Sequence, residues 1–209
     1  MSESESIVFV VDDDPSVRSA IERLIGTVGL QVQLFGSAQE FLASKIPNVP
    51  SCLVLDIRLP GISGLALQRR LAESDVQIPI IFITSHRDVA MTVRAMKAGA
   101  VEFLTKPFHD QDLLDAIHLA IEKDRARRQQ DSEIASLRER FQSLSPRERE
   151  VVVMVVSGML NKQIAAQIGS AENTVKVHRS RAMEKMQANS LADLVKMIER
   201  LQVSSGKGP

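Results

Sequence analysis

"IVFVVDDDPSVR", residues 7–18, carries five apolar residues, Ile7 to Val11, straight into three consecutive carboxylates, Asp12, Asp13 and Asp14. An unbroken apolar run of this length suits a strand covered on both faces, as in a parallel sheet flanked by helices. Adjacent carboxylates repel one another, so the strand's end also demands a compensating positive charge. Further strand-like runs follow at 31–35, 52–56, 79–84 and 101–105. Helical patterns alternate with them at about 15–28, 37–44, 64–73, 88–98 and 110–122. Five strands alternating with five helices predict an α/β doubly wound, five-stranded parallel sheet, whose ligands bind at the carboxyl ends of the strands. On that map Asp12 and Asp13 end the first strand, Asp56 the third and Thr84 the fourth, while Lys106 follows the fifth. All five converge on one edge. Clustered carboxylates there suit a hard cation such as Mg²⁺, held by one or two carboxylates, waters and a phosphate. Asp14, followed by Pro15, fits the N-cap of the first helix instead.

The chain is 209 residues long and 44% hydrophobic, enough for two folded domains. No apolar run approaches the ~18 residues that span a bilayer. The opening "MSESES" is acidic where a secretory signal is basic, so a cytoplasmic, non-membrane protein is expected. One cysteine, Cys52, excludes a disulfide framework and reads as a small buried residue of a strand. The zero net charge hides an asymmetry. Residues 1–122 carry 10 Lys+Arg against 16 Asp+Glu, residues 123–144 carry 6 against 4, and residues 145–209 carry 10 against 6. An acidic first half joined to a basic second half suggests different partners for the two.

"VVDDDP" (10–15), "LVLDIRLPGISG" (53–64), "FITSHRD" (82–88) and "EFLTKPF" (102–108) resemble the motifs of the receiver domain of two-component response regulators, over roughly residues 6–122. The resemblance implies that Asp56 is the phospho-acceptor for a sensor histidine kinase. It implies that Asp13, Asp56 and the backbone carbonyl of Arg58 ligate Mg²⁺, with Asp12 acting through water. It places Thr84 and Lys106 against the phosphoryl oxygens, Phe103 at the aromatic switch position and a cis peptide at Lys106–Pro107. His86 receives no catalytic role. An enzyme is not expected: an aspartyl-phosphate phosphatase needs a second Asp two residues after the first, where Arg58 stands, and no P-loop string occurs.

Residues 120–141 lack Gly and Pro and are rich in helix formers, so one long charged helix should continue the last receiver helix as a linker. Beyond it, "LSPREREVVVMVVSGMLNKQIAAQIGSAENTVKVHRSRAMEKM" (144–186) opens with a capping box, Ser145, Pro146 and Glu148, on a helix that Gly158 ends. Asn161 is expected to cap a second helix closed by Gly169. A third should run from near Glu172 to Met186, and Ser190 should cap a fourth. This is a helix-turn-helix plan, giving a small all-α domain. It resembles the LuxR-type DNA-binding domain. The pairing with a receiver resembles the FixJ/NarL group, most of all its StyR type. The expected organisation is a receiver at 1–122, a linker helix at 123–143 and the DNA-binding domain at 144–209. By the resemblance, Lys176, Val177 and Ser180 face base edges of promoter DNA. Thr174, His178, Arg179, Arg181 and Lys162 reach phosphates or adjoining edges, and Val175, Met183 and Met186 face inward. The implied partners are a cognate kinase, double-stranded promoter DNA, RNA polymerase and, on phosphorylation, a second copy of the chain.

Overall fold

In the computed structural model of the chain, residues 6–74, 76–85 and 88–205 are described, the last four by backbone alone. The chain divides into two compact units, residues 1–128 and 129–209. In the first unit β1 (Ile7–Val11), β2 (Gln31–Phe35), β3 (Ser51–Asp56), β4 (Ile80–Thr84) and β5 (Glu102–Thr105) form one sheet in the order β2-β1-β3-β4-β5. Every pairing is parallel. The helices α1 (Pro15–Thr27), α2 (Ala38–Ala43), α3 (Gly64–Glu73) and α4 (Val89–Lys97) alternate with the strands, and α5 (Asp110–Gln142) follows β5. β1 is buried throughout, and its alternate side chains feed two separate cores. Phe9 and Val11 join Phe41, Leu53, Leu55, Leu67 and Phe82 on one face, whereas Val8 and Val10 join Ile21, Ile25, Cys52, Ile81 and Ile117 on the other. Each such fully buried aliphatic or aromatic side chain contributes roughly 1.5–3 kcal/mol, which is why the run at 7–11 reads so plainly. Burial also pushes the Cys52 thiol well up, leaving it an unreactive core residue.

The caps follow the sequence closely. Asp14 caps α1, accepting from the Ser16 N–H and hydroxyl, which hold its carboxyl below the ordinary range. Pro15 occupies the first helical position, where no backbone donor is needed.

α5 meets the expectation of one long helix running on from the last receiver helix: it is continuous over 33 residues. Asp124, fully buried near its middle, accepts from the backbone N–H of Ser51 at the start of β3 (3.0 Å), from Arg127 (2.6 Å) and from Arg128 (2.6 Å).

The second unit packs the end of α5 with α6 (Pro146–Val156), α7 (Asn161–Ile168), α8 (Glu172–Met186) and α9 (Leu191–Ser205) around Val151, Val155, Ile164, Val175, Ala182, Met186 and Leu194. The Ser145–Glu148 capping box forms in both directions. Glu148 is buried and also takes Lys185 of α8 at 2.6 Å, an ammonium that, with the Ser145 N–H, holds its carboxyl low. Val175 and Met186 are buried and Met183 partly so, as expected of the inward face. One cap differs. Leu160, not Asn161, precedes α7, and its N–H donates to the Gln163 side chain at 2.8 Å. Asn161 instead turns its side-chain oxygen to Arg179 of α8, at 3.2 Å. Gly169 ends α7 with φ 64°, the left-handed conformation that lets the chain turn at once into α8.

Candidate functional site

The parallel sheet delivers its polar residues to one edge. Asp12 follows β1 and is fully buried, Asp56 is the last residue of β3 and nearly so, and Asp13 beside them is exposed. One carboxylate oxygen from each of the three lies within 4.8 Å of the others. Lys106 follows β5 and places Nζ 2.6 Å from Asp12 Oδ2 and 2.7 Å from Asp56 Oδ2. The Lys106–Pro107 peptide is cis, as the motif implied. The Lys106 N–H bonds the Thr84 carbonyl at 2.7 Å, tying β5 to the end of β4 where Thr84 sits buried. The second Asp56 oxygen, Oδ1, accepts from the Arg58 N–H at 2.9 Å, and Asp12 Oδ1 accepts from the Asp14 N–H at 2.9 Å. Phe103 stands opposite Phe82 in the sheet and packs, half-buried, against the core containing Phe9. His86 and Arg87 of the "FITSHRD" string lie outside the described residues.

The electrostatics are one-sided. Burial raises the pKa of Asp12 by more than Lys106 and the Asp14 N–H lower it. Burial alone would lower Lys106, but its hydrogen bonds to Asp12 and Asp56 outweigh that and raise it, so the ammonium is fully charged at neutral pH. Three carboxylates against one ammonium leave two negative charges unbalanced, and every donor is a hard oxygen. That set fits a divalent cation of the Mg²⁺ type.

One residue the sequence reading passed over is Gly64, the first residue of α3. Its N–H donates to the Ile57 carbonyl at 2.9 Å, and a Cβ built on it would lie 2.4 Å from the backbone oxygen of Asp56 and 3.0 Å from Ile57 Cα. Only glycine lets α3 start against the Asp56 backbone. The signal was present in "PGISG", read there only as part of a motif. Gly64→Ala should displace Asp56 and cost about 1–3 kcal/mol, as overpacking against backbone does. Thermal unfolding with and without Mg²⁺ checks it: a lowered melting temperature and a weakened Mg²⁺ response are expected.

In the second unit α8 exposes Thr174, Lys176, Val177, Ser180 and Arg181, and Lys162 is exposed on α7. Lys176 lies 3.3 Å from Glu172, one turn back, an exposed pair of the kind that contributes under ~1 kcal/mol and opens readily. His178 and Arg179 are half-buried instead. Arg179 is engaged by Asn161, and His178 Nδ1 is buried without a hydrogen-bond partner. The exposed face is thus narrower than the string "TVKVHRSR" suggests.

Residues 8–118 match the family described as "Response regulator receiver domain", and residues 142–198 match "Bacterial regulatory proteins, luxR family". This chain belongs to the LuxR-type response regulators. It is 55% identical to Nodulation protein W of Bradyrhizobium diazoefficiens over 97% of this chain and 89% of that protein. It is 45% identical to Response regulator protein TmoT of Ectopseudomonas mendocina over 98% and 93%. The solved structure titled "Low Resolution Structure of Response Regulator StyR" is 48% identical, with a TM-score of 0.86 over 94% of this chain and 99% of that one. The response regulator thus joins a receiver to a LuxR-type DNA-binding domain through the long helix α5, and its role is transcriptional regulation. Among the described residues no helix is long and apolar enough to cross a membrane.

Proposed function

We propose that Asp56 accepts a phosphoryl group from a phosphohistidine of a sensor histidine kinase, and that the phosphorylated chain pairs with a second copy to bind promoter DNA, where it meets RNA polymerase in the cytoplasm. The convergence of Asp12, Asp13, Asp56 and Lys106 on one sheet edge carries this reading. In the transfer, the phosphorus–nitrogen bond to the kinase imidazole breaks as an Asp56 oxygen bonds to phosphorus. Such transfers need positioning and charge neutralisation more than covalent help. Asp56 is held for attack by the Arg58 N–H on one oxygen and Lys106 on the other. Lys106 can then follow the new charge onto the phosphoryl oxygens, and the Thr84 hydroxyl joins it, with Phe103 responding. Asp13, Asp56 and the Arg58 carbonyl would hold Mg²⁺, with Asp12 acting largely through water, and the ion would supply charge neutralisation. The chain is a phosphoryl acceptor and not a turnover enzyme. The domains are taken as 1–122, 123–143 and 144–209.

On DNA, Lys176, Val177 and Ser180 face base edges, while Thr174, Arg181 and Lys162 take phosphates or adjoining edges. Arg179 and His178 contribute where their exposed atoms reach. Labelling with acetyl phosphate and Mg²⁺, read by phosphate-affinity electrophoresis, tests the acceptor. One labelled site at Asp56 is expected, and a label that persists in Asp56→Asn overturns the assignment.

The metal set makes a separate prediction. Bound Mg²⁺ at tenfold above its Kd should stabilise the fold by roughly 1.4 kcal/mol through mass action. Asp13→Asn should remove most of that gain while leaving the buried Asp12–Lys106–Asp56 contacts in place. A mutant whose melting temperature still rises with Mg²⁺ as the wild type's does would rule out Asp13 as a ligand.

A further inference from the structure

α4, the helix that follows β4 and its terminal Thr84, is weakly embedded. Of its nine residues only Ala95 is fully buried, while Val89, Val93 and Met96 are exposed. Its two ends are held differently. The N-terminal end has a local cap, the Asp88 side chain accepting from the Met91 N–H, and connects through a short segment to Thr84. The C-terminal end is held from another element. Gln68 of α3, buried, donates from Nε2 to the Ala98 carbonyl at 3.2 Å and to the Ala95 carbonyl at 3.4 Å. The Ala95 carbonyl also accepts from the Ala100 N–H at 3.1 Å, so what Gln68 adds is a cross-link from α3 to the end of α4, at Ala95 and at the exposed Ala98, where helical carbonyls run out of intrahelical partners. A glutamine in the buried stripe of α3, among Leu67 and Leu71, is costly unless both its donors are used, as they are here. α3 itself begins at Gly64, whose N–H binds the Ile57 carbonyl next to Asp56.

We propose that Gln68 is the pivot of α4: it fixes the C-terminal end of the helix to α3, so that events at Asp56 and Thr84 swing the N-terminal end about it. The proposal rests on the phosphorylation reading above and adds the residue that turns a loose helix into a directed lever. At 1.5 Å per residue the lever is roughly 13 Å long. Val89 at its far end travels most and Met96, beside the pivot, least. Val89 and Val93 are exposed apolar residues, so the swing changes the apolar surface that α4 offers a second copy. Without the pivot, α4 samples many positions in both states and the difference between them shrinks.

The test uses the full chain and beryllofluoride with Mg²⁺ as the phosphoryl mimic. Gln68→Met keeps the side chain's length and bulk but removes both donors. It should bind the mimic as the wild type does, show at least tenfold faster amide exchange over residues 94–100, and need at least tenfold more protein to dimerise in analytical ultracentrifugation. A Gln68→Met chain within twofold of wild type in exchange or in dimerisation overturns the pivot. A second measurement needs no variant: with methionine methyls labelled for NMR, adding the mimic to wild type should shift Met91 more than Met96, and the reverse order overturns the proposal. If wild type does not dimerise with the mimic, the phosphorylation reading falls and the pivot with it. If wild type dimerises and Gln68→Met does so equally, the pivot alone falls.

Discussion

Asp56→Asn should leave weak, non-specific DNA binding intact and abolish the tight promoter binding that a phosphodonor induces, a loss of ~10² to 10⁴ in apparent affinity. The size follows from how little one helix-turn-helix can do alone. Residues 145–209 carry 10 Lys+Arg against 6 Asp+Glu, and of the exposed cations of α8, Lys176, Arg181 and Lys185, the last is taken up by Glu148. So few phosphate contacts give modest, salt-sensitive binding. Two such modules joined in a dimer gain by effective concentration, which is where the factor of ~10² to 10⁴ arises. Asparagine preserves the shape of Asp56 and an acceptor for the Arg58 N–H, so the fold persists, but it cannot carry the phosphoryl group. Lys176→Ala is the complementary variant. It should dimerise normally with beryllofluoride yet lose ~1 to 3 kcal/mol of specific binding, the value of one good base contact. Ultracentrifugation and mobility shifts on the same samples read both. An Asp56→Asn chain that binds promoter DNA as tightly as phosphorylated wild type would end the coupling reading, as would a wild type that stays monomeric with the mimic and DNA present.

What the amino-acid sequence made legible, and what it hid, divides along a physical line. Features that depend on local period could be read directly. Ile7 to Val11 is apolar on both faces because helices cover both faces of the sheet, Phe9 and Val11 entering one core and Val8 and Val10 the other, and an unbroken run is the mark of such a strand. The caps at Asp14 and Ser145 depend on residues two and three places on, so their spacing revealed them. The convergence of Asp12, Asp56, Thr84 and Lys106 was legible because strand ends in a parallel sheet share one edge. The residues that escaped act on backbone far away in the chain. Gln68 reads as a polar interruption of α3's apolar stripe until the carbonyls of Ala95 and Ala98 are beside it. Gly64 reads only as part of a motif until the Asp56 carbonyl is 2.4 Å from its missing Cβ. Asn161 has the chemistry of an N-cap, but Gln163 took the Leu160 N–H and Arg179 took Asn161. A string such as "TVKVHRSR" likewise shows charge without showing that His178 and Arg179 are half-buried.

Asp124 is the extreme case, because in "EKDRARRQQ" it reads as one more solvated charge on a charged helix, whereas it is fully buried. Its partner is the backbone of Ser51, 73 residues earlier, and that N–H opens β3, the strand that ends in Asp56. Arg127 and Arg128 complete the charge balance from the next turn of α5, with side chains that keep about a quarter of their surface in water. Removing one member of such a buried pair strands the others, and costs of about 3–5 kcal/mol are usual. Because both arginines can re-solvate, Asp124→Ala belongs at the lower end, about 3 kcal/mol, and should lower the melting temperature of the N-terminal unit by roughly 10 °C. Asp124→Asn retains an acceptor for the Ser51 N–H and should lose about half as much. Scanning calorimetry of the full chain measures this, with the N-terminal transition identified as the one that Mg²⁺ and beryllofluoride raise. The C-terminal transition should not move, since Asp124 touches nothing in residues 145–201 among the contacts described. An Asp124→Ala chain whose N-terminal transition stays within 1 °C of wild type would show that this network ties α5 to the sheet without stabilising it. The larger expected loss would instead make the root of α5 part of the receiver's own fold, so that the helix leading toward α6 leaves the sheet from a fixed point.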